Sequence, residues 1–388
     1  MNFSTHANKQ LTIAFDTWPL STQFRNTGTH VYARNLLSHF RDIAGVDSVE
    51  FRPFVCFATA NDANEFQPSS GFRPYETNLL RVGRAWRYGG ACFSAFRSKA
   101  NLLFCPSGTT LGLAPLLPVV NTIHDLIPVF FPTLPKARYL RFEFARAARH
   151  SRAVITDSIH SKNDLINILG IDASKVHVVY LACEQRLFNT TPPDPVKRQT
   201  LLKRLNLQRP YILSHGRIEH RKNLRRLVEA YHLALTRNPG LEIDLVLVGA
   251  LGWRHDEILR AGASPGAPGR VIFAGPQSDT DLVALLKSAT LAVIPSLYEG
   301  FCLPLLEAMA CGAPTICSTS SCLPEISGGV LRYFDPYSTE EMADCIGQVL
   351  QSSTLRESLS LKGQECARAY SWQRCAQETL AVLKSVAN

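Results

Sequence analysis

The chain has 388 residues, a length that suggests two domains of about 190 residues each. Apolar residues make up 46% and charged residues 19%, a balance typical of globular proteins that excludes wholesale disorder. Residues 1–190 hold most of the net charge of +9, with 20 Lys and Arg against 13 Asp and Glu. This excess suggests either a local anionic partner or a merely solvated basic face, and the count alone does not decide between them.

Short β-rich runs alternate with amphipathic helical stretches, a pattern that predicts an α/β fold of parallel sheets covered by helices. The predicted strands of the first half span 11–16, 51–57, 102–106, 119–125, 153–158 and 176–181. Those of the second half span 211–216, 245–249, 271–275, 291–296, 315–318 and 330–334. The clearest predicted helices span 29–40, 224–235, 279–288 and 339–350.

A Pro/Thr-rich segment, 189–195, suits neither helix nor strand and is interpreted as a linker. It separates an N-terminal domain, 1–190, from a C-terminal domain, 191–388, whose final helix at about 372–386 is a candidate to pack back on the first domain. Because ligands of open α/β sheets bind at the carboxyl ends of the strands, two such sheets facing each other would form one cleft.

Three features of the sequence predict a cytoplasmic location. No apolar run approaches the roughly 18 residues of a spanning helix, and the polar start MNFSTHANKQ does not resemble a signal peptide. The eleven cysteines are scattered without a CxxC pair, which argues against a disulfide framework and a zinc ribbon. We therefore expect a cytoplasmic protein without a membrane span.

The most informative segment, 296–314, reads SLYEGFCLPLLEAMACGAP. Pro304 suits the first position of a helix and Gly312 its left-handed end, which places Glu307 in the first turn. Glu299 lies on the loop ahead of it. Free amides at a helix start favour phosphate, and carboxylates accept hydrogen bonds from hydroxyls, so the pattern predicts a ligand with both groups. Alternatively, each glutamate is an ordinary capping or surface residue.

The second informative segment, 214–223, reads SHGRIEHRKN and follows a predicted strand. Gly216 gives the backbone room to approach a ligand. The planar fork of Arg217 and the point charge of Lys222 together suit a diphosphate. The alternative is a basic helix face, and we expect the neighbouring arginines to lie mostly in solvent: Arg221, Arg225 and Arg226.

These two segments and residues 122–128, TIHDLIP, resemble in their order the motifs of glycosyltransferase family 4, the retaining enzymes of GT-B fold. Weaker matches at 26–32, 156–162 and 370–372 extend the resemblance over nearly the whole chain. It implies a GT-B fold, two Rossmann-like doubly wound parallel-sheet domains facing across a cleft. It also implies a hexosyltransferase. Such an enzyme moves a sugar from a nucleotide diphosphate sugar to a hydroxyl and retains the configuration at the anomeric carbon.

The resemblance also implies site residues. His124 would meet the donor sugar near its 6-hydroxyl and reacting carbon, and Gly28 would lie near the sugar and phosphate; their alternatives are a structural histidine and a turn glycine. The residues implied as catalytic are His124, Glu299, Arg217 and Lys222. Those implied as donor-binding are Gly28, Gly216, Arg217, Lys222, Glu299, Gly300, Phe301, Cys302, Leu303 and Glu307.

One position departs from the family pattern, because Cys302 stands where glycine is usual. A positive φ there would strain a cysteine and bring its side chain into the donor pocket, which leaves the donor's identity open. We do not interpret Cys302 as a nucleophile, since no neighbouring residue in the sequence suits a base.

The expected reaction needs neither cofactor nor metal. No DxD-type acidic motif stands where a metal would bridge the diphosphate, and Arg217, Lys222 and a helix N-terminus can stabilise the leaving phosphate instead. The sequence leaves front-face attack and a covalent intermediate both open. Members with a His-Asp-Leu segment often use GDP-mannose, so mannose is the first candidate, and a UDP-sugar is the second.

The acceptor is expected to be a lipid-linked saccharide, because members of the resembled family commonly glycosylate polyprenyl-linked saccharides. Residues 77–124 contain no acid, and 136–152 contain only Glu143. The first run interleaves basic with aromatic residues, a pattern that favours docking on an anionic membrane at the inner face of the plasma membrane over nucleic-acid binding. Its members are Arg81, Arg84, Trp86, Arg87, Tyr88, Phe93, Phe96, Arg97 and Lys99.

Three alternatives remain open. The first is a UDP-sugar-dependent enzyme with a soluble acceptor. The second is a sugar-nucleotide epimerase of the GT-B shape, which product analysis would separate from a transferase. The third, a two-domain sugar-binding protein of the periplasmic type, would need a secretion signal and has no use for the basic and acidic pattern of the two motifs.

Overall fold

The computed structural model describes residues 11–20, 27–44, 49–55, 75–76, 86–108 and 116–387. The chain divides into two compact units, Met1–Leu181 with Trp372–Asn388, and Ala182–Ser371. The segment 189–195, interpreted as a linker, lies inside the second unit. The ammonium of Lys287 donates to Oδ1 of Asn189 at 3.3 Å and to the carbonyl of Thr191, which attaches this segment to the unit.

The first unit contains a parallel sheet in which the described strands follow the order β3-β2-β1-β4-β5-β6-β7. Its strands are β1 (Leu11–Asp16), β2 (Val49–Val55), β3 (Tyr75–Glu76), β4 (Leu102–Cys105), β5 (Val119–Thr122), β6 (Ala153–Thr156) and β7 (Val176–Val178). Its helices up to residue 181 are α1 (Gly28–Ala44), α2 (Ala91–Arg97), α3 (Ile127–Phe130), α4 (Ala137–His150) and α5 (Ile159–Leu169).

The second unit contains a parallel sheet in the order β10-β9-β8-β11-β12-β13. Its strands are β8 (Tyr211–His215), β9 (Asp244–Val248), β10 (Val271–Gly275), β11 (Leu291–Ile294), β12 (Thr315–Ser318) and β13 (Arg332–Phe334). Its helices are α6 (Pro195–Arg204), α7 (Leu224–Arg237), α8 (Asp256–Gly262), α9 (Asp279–Ser288), α10 (Leu303–Ala310), α11 (Leu323–Ile326), α12 (Thr339–Gln351) and α13 (Ser353–Arg368).

The last helix, α14 (Trp372–Ala387), belongs to the first unit and packs against α1. Trp372 and Leu383 are buried, and the Trp372 ring lies 6.4 Å from the ring of Tyr32 on α1. Burial of this apolar face fixes the helix on the first unit. Within the described residues, no helix is both long and apolar enough to cross a membrane.

The strand order of each sheet reverses direction at one point. In the first unit this point lies between β1 and β4, and in the second between β8 and β11. Ligands of doubly wound sheets bind at the carboxyl ends of the strands beside such a point. The two sequence motifs of the second unit follow β8 and β11, so the topology brings them to the same place.

Candidate active site

A buried ionic cluster, formed by Glu219, Arg221, Lys222 and Glu299, lies beyond the carboxyl ends of β8 and β11. Lys222 donates from Nζ to Oε1 of Glu299 at 2.5 Å, and Arg221 donates from Nη1 to Oε2 at 2.6 Å. Arg221 also pairs through Nε with Oε1 of Glu219 at 2.6 Å. The two segments identified from the sequence are therefore joined by charge-assisted hydrogen bonds.

Glu299 is held as a carboxylate by this cluster. Burial alone would raise the pKa of Glu299, but the Arg221 and Lys222 cations lower it to about 2. Ser296 adds a further hydrogen bond from Oγ to Oε1 at 2.7 Å. Glu299 can therefore accept hydrogen bonds near neutral pH but cannot act there as a proton donor.

Arg221 differs from the sequence-based expectation of a solvated side chain. Its side chain is only 16% exposed, because it bridges the two glutamates of the ionic cluster. By contrast, the side chains of Arg217 and Arg225 are 57% and 60% exposed. The expectation is confirmed for Arg225 and wrong for Arg221.

A small pocket beside the ionic cluster combines two cations and a helix start. Its lining includes Arg217, Lys222, Ser296, His215 and Pro304. Arg217 lies 3.5 Å from the nearest oxygen of Glu219, a long contact that leaves its guanidinium available to a ligand. Lys222 has three donors, of which Glu299 takes one.

The backbone at Gly216 explains why glycine follows β8. Its φ of 125° lies in a region that other residues rarely adopt. The neighbouring Gly249 is equally constrained, because a Cβ there would fall 1.8 Å from the Gly216 carbonyl oxygen. The two glycines allow the chain segments after β8 and β9 to approach closely.

Glu307 is the fifth residue of α10 and lies outside its first turn, contrary to the sequence analysis. The helix begins at Leu303, which makes Pro304 its second residue. The side chain of Glu307 is 18% exposed, and its Oε2 lies 3.0 Å from Nε2 of His215, the last residue of β8. The two motifs therefore meet at a second point.

The segment between the two glutamates is largely buried. Gly300, Phe301 and Cys302 are all buried, and the Phe301 ring packs edge-on against Tyr370 at 5.8 Å. Cys302 has a φ of 75°, so the expected positive φ is confirmed at a non-glycine residue. Burial raises the pKa of the Cys302 thiol to about 12, and its side chain does not line the pocket described above. The thiol is buried within the unit, and its entry into the donor pocket stays a prediction.

His124 in the first unit contacts an acceptor at each ring nitrogen. Nδ1 lies 2.7 Å from Oδ2 of Asp157, and Nε2 lies 3.1 Å from the carbonyl oxygen of Pro106. Burial lowers the pKa of His124 and the Asp157 carboxylate raises it, with a net upward shift. Since both partners only accept hydrogen bonds, this geometry favours the imidazolium.

Gly28 is the first residue of α1 and is exposed, with open space where a side chain would lie. One turn later on α1, the buried Tyr32 packs edge-on against His124, with ring centroids 4.9 Å apart. Gly28 and His124 are thus linked through the same helix within the first unit. The remaining sequence-predicted site residues belong to the second unit.

Three contacts of the site were missed by the sequence analysis. They are the contact of Asp157 with His124, the contact of His215 with Glu307, and the ion pair of Arg221 with Glu299. Asp157 and His215 both stand at strand ends, a position that marks functional side chains, but strand ends alone do not show which residues meet. Among the described residues, no group of three or more His, Cys, Asp or Glu has the arrangement of a metal site.

Comparisons with known proteins agree with this geometry. Residues 198–365 match the family model "Glycosyl transferases group 1", and residues 27–184 match "Glycosyltransferase Family 4". The O-antigen chain mannosyltransferase B of Escherichia coli is 31% identical over 270 residues, which cover 68% of this chain and 70% of that protein. The serotype-specific mannosyltransferase WbdA of Escherichia coli is 31% identical over 267 residues, 66% of this chain but only 32% of WbdA.

A solved structure gives the fold. Alr3699/HepE of Anabaena in complex with UDP-glucose matches with a TM-score of 0.72 at 19% identity, covering 97% of this chain and 100% of that one. At that identity the match concerns the fold, two Rossmann-like parallel-sheet units of the GT-B type. The chain therefore belongs to glycosyltransferase family 4, as a GT-B glycosyltransferase similar to mannosyltransferases.

Proposed function

We propose that this glycosyltransferase moves a hexose from a nucleotide diphosphate sugar to a hydroxyl of a saccharide acceptor, with retention and without a metal ion. Mannose from GDP-mannose is the first candidate, since two relatives from Escherichia coli are mannosyltransferases. A UDP-sugar is the second, since the Anabaena structure holds UDP-glucose. The setting is the assembly of a bacterial-type polysaccharide, with a lipid-linked acceptor.

The pocket lined by both Arg217 and Lys222 is the observation that carries this proposal. Two cations beside the start of α10 can hold a diphosphate without a metal. In the reaction, the bond from the anomeric carbon to the phosphate oxygen breaks and its electron pair stays on the phosphate, where Arg217 and Lys222 stabilise the charge. The acceptor oxygen bonds to the anomeric carbon, and its proton passes to the departing diphosphate, which balances the step.

The remaining site residues take supporting roles in this proposal. Glu299, ionised and buried, accepts a hydrogen bond from a hydroxyl of the donor sugar while holding Lys222 in place. Glu307 accepts hydrogen bonds from the ribose hydroxyls. His124 takes the contact with the donor sugar that its motif implies, as a cation beside Asp157.

A panel of nucleotide sugars tests the proposal directly. The intact chain is incubated with GDP-mannose, UDP-glucose, UDP-galactose and UDP-N-acetylglucosamine, with and without EDTA, and release of nucleoside diphosphate is measured. We expect release from GDP-mannose in both conditions, and an α-linked product by NMR when the donor is an α-linked sugar nucleotide. A β-linked product would refute retention, a strict metal requirement would refute metal independence, and conversion of the donor to its epimer would identify an epimerase.

Replacement of Glu307 by alanine should weaken binding of the free nucleoside diphosphate by about 1–3 kcal/mol, the range for lost hydrogen bonds to a charged group. Isothermal titration calorimetry with GDP and UDP measures this loss. The matched control is Glu229→Ala, which removes an exposed glutamate of α7 in the same unit. Unchanged nucleotide affinity in Glu307→Ala would show that Glu307 does not bind the ribose.

The membrane part of the proposal rests on a basic aromatic face, defined here by Phe93, Phe96, Arg97, Arg141 and Phe142. All five are exposed, with Phe142 at 58%, on helices α2 and α4. The turn before α2 is tied to α4 by a 2.8 Å ion pair between Arg87 and Glu143. Exposed aromatic and basic residues on joined helices suit an anionic lipid surface.

Two of the sequence-predicted membrane residues take other positions. Trp86 is fully buried in the apolar core of the first unit, where its indole donates to Oδ1 of Asp16 at 3.0 Å. Arg87 is held by the buried Glu143. Both are therefore structural. Arg81 and Arg84 lie outside the described residues.

We expect the chain to sediment with anionic but not with neutral liposomes, and roughly 0.5 M salt to release it, since screening shortens the Debye length. Each basic residue contributes about 1 kcal/mol at such a surface. Arg97→Ser with Arg141→Ser should therefore weaken binding. The control pair, Arg209→Ser with Arg225→Ser, changes the same charge on the second unit. Equal recovery with both lipid types would instead favour a soluble acceptor.

A further inference from the structure

The contact between His215 and Glu307 involves only one oxygen of the carboxylate. Nε2 of His215 lies 3.0 Å from Oε2, and within the described part of the chain Oε1 of Glu307 has no hydrogen-bond partner. In this contact an ionised carboxylate can only accept, and Nε2–H is the group that can donate to it. The contact therefore fixes one oxygen of Glu307 and leaves the other to a ligand.

His215 is itself held rigidly. It ends β8, where it pairs in register with Val248 of β9, and its side chain is 3% exposed. Its other ring nitrogen, Nδ1, is buried with no partner among the described residues. Within the described residues, the hydrogen bonding of the ring is therefore with Glu307 alone. A rigid strand thus orients a side chain on the neighbouring helix.

We propose that His215 is a positioning residue that holds the Glu307 carboxylate in the orientation that accepts the ribose hydroxyls, an inference that rests on the proposed donor site. His215 also lines the pocket that contains Arg217 and Lys222, so the ribose end and the diphosphate end of one nucleotide would lie beside the same strand end. Without the imidazole, Glu307 would sample several rotamers and lose part of its hydrogen bonding to the ribose.

Selectivity for ribose is the readout that separates positioning from a general structural role. Calorimetry gives the affinities of the intact chain for GDP and for 2′,3′-dideoxy-GDP. UDP and 2′,3′-dideoxy-UDP are measured in the same way. We expect the wild type to prefer GDP by about 10–100-fold, from hydrogen bonds between hydroxyls and a charged acceptor. His215→Leu should reduce this ratio by about tenfold, whereas His215→Gln, whose amide can reach Oε2, should keep it within about threefold.

The controls decide between the possible failures. Inorganic pyrophosphate should bind His215→Leu as it binds the wild type, because the diphosphate cations are unchanged. Should that variant lose pyrophosphate binding, His215→Gln is compared with His215→Asn, whose shorter amide should fail to restore the ratio. A ratio that stays at the wild-type value in both His215→Leu and His215→Asn overturns the proposal.

Glu307→Ala distinguishes failure of this inference from failure of the proposed donor site. If Glu307→Ala abolishes the preference for GDP but the His215 variants do not change it, Glu307 binds the ribose without help from His215. If the wild type binds GDP and its dideoxy analogue equally, Glu307 does not bind the ribose, and the proposed ribose site fails together with the inference.

Discussion

Arg217→Ala should lower kcat by about 10²–10³-fold, comparable to the loss of one oxyanion donor, with thermal stability near the wild type. The side chain is 57% exposed and its nearest charge partner is 3.5 Å away, so its removal disturbs little of the fold. Since charge accumulates on the phosphate as the glycosidic bond breaks, the guanidinium contributes mainly in the transition state. Initial rates at saturating donor, with thermal melting in parallel, measure both quantities.

Lys222→Ala should reduce kcat similarly but should also destabilise the second unit. Lys222 is buried and donates to Glu299, so its removal leaves part of a buried carboxylate uncompensated. The matched control is Arg225→Ala, which removes a neighbouring exposed cation and should change neither property. If both Arg217→Ala and Lys222→Ala keep activity within a few-fold, the diphosphate is held elsewhere.

Much of the fold could be predicted from the sequence, because parallel strands buried on both faces appear as short apolar runs. The predicted strand 11–16 and helix 279–288 have the observed bounds. The strand Tyr75–Glu76 was missed because two residues carry no periodic pattern. Pro304 predicts a helix that starts one residue later than α10 does, because a helix tolerates proline at any early position whose N–H lacks an intrahelical partner. The predicted first turn therefore reaches Glu307, whereas the observed one does not.

The pairings inside the site could not be predicted in the same way. The sequence identified Arg217, Lys222, Glu299 and Glu307, but not that Arg221 bridges two glutamates or that His215 contacts Glu307. Such contacts depend on strand order, which places β8 beside β11 although 75 residues lie between the end of β8 and the start of β11. Side-chain partners therefore follow from topology, while residue types follow from the motifs.

Glu299→Gln should destabilise the second unit by about 3–5 kcal/mol at pH 7, the range for breaking a buried ion pair by removing one partner. Lys222 would lose its charged partner in a buried position, whereas Arg221 would keep Glu219. Glu229→Gln is the matched control, because it removes an equal charge from an exposed i,i+4 pair on α7 and should change stability by less than about 0.5 kcal/mol. Urea unfolding measures the loss of stability. Hydrogen exchange in peptides from β8 and β11 then shows whether the loss lies in the second unit.

The difference in unfolding free energy between the wild type and Glu299→Gln should depend on pH if it is electrostatic. The pKa of Glu299 is lowered to about 2 in the folded state from an ordinary value of 4.5. A lowered pKa means that the unfolded chain binds the proton more tightly, so the stabilisation is complete above pH 4.5 and is lost as the pH falls from 4.5 toward 2. The difference between wild type and Glu299→Gln should therefore be largest at pH 7 and clearly smaller at pH 3. A difference that stays constant over this range would show that Glu299 stabilises the unit by packing, with its charge contributing nothing.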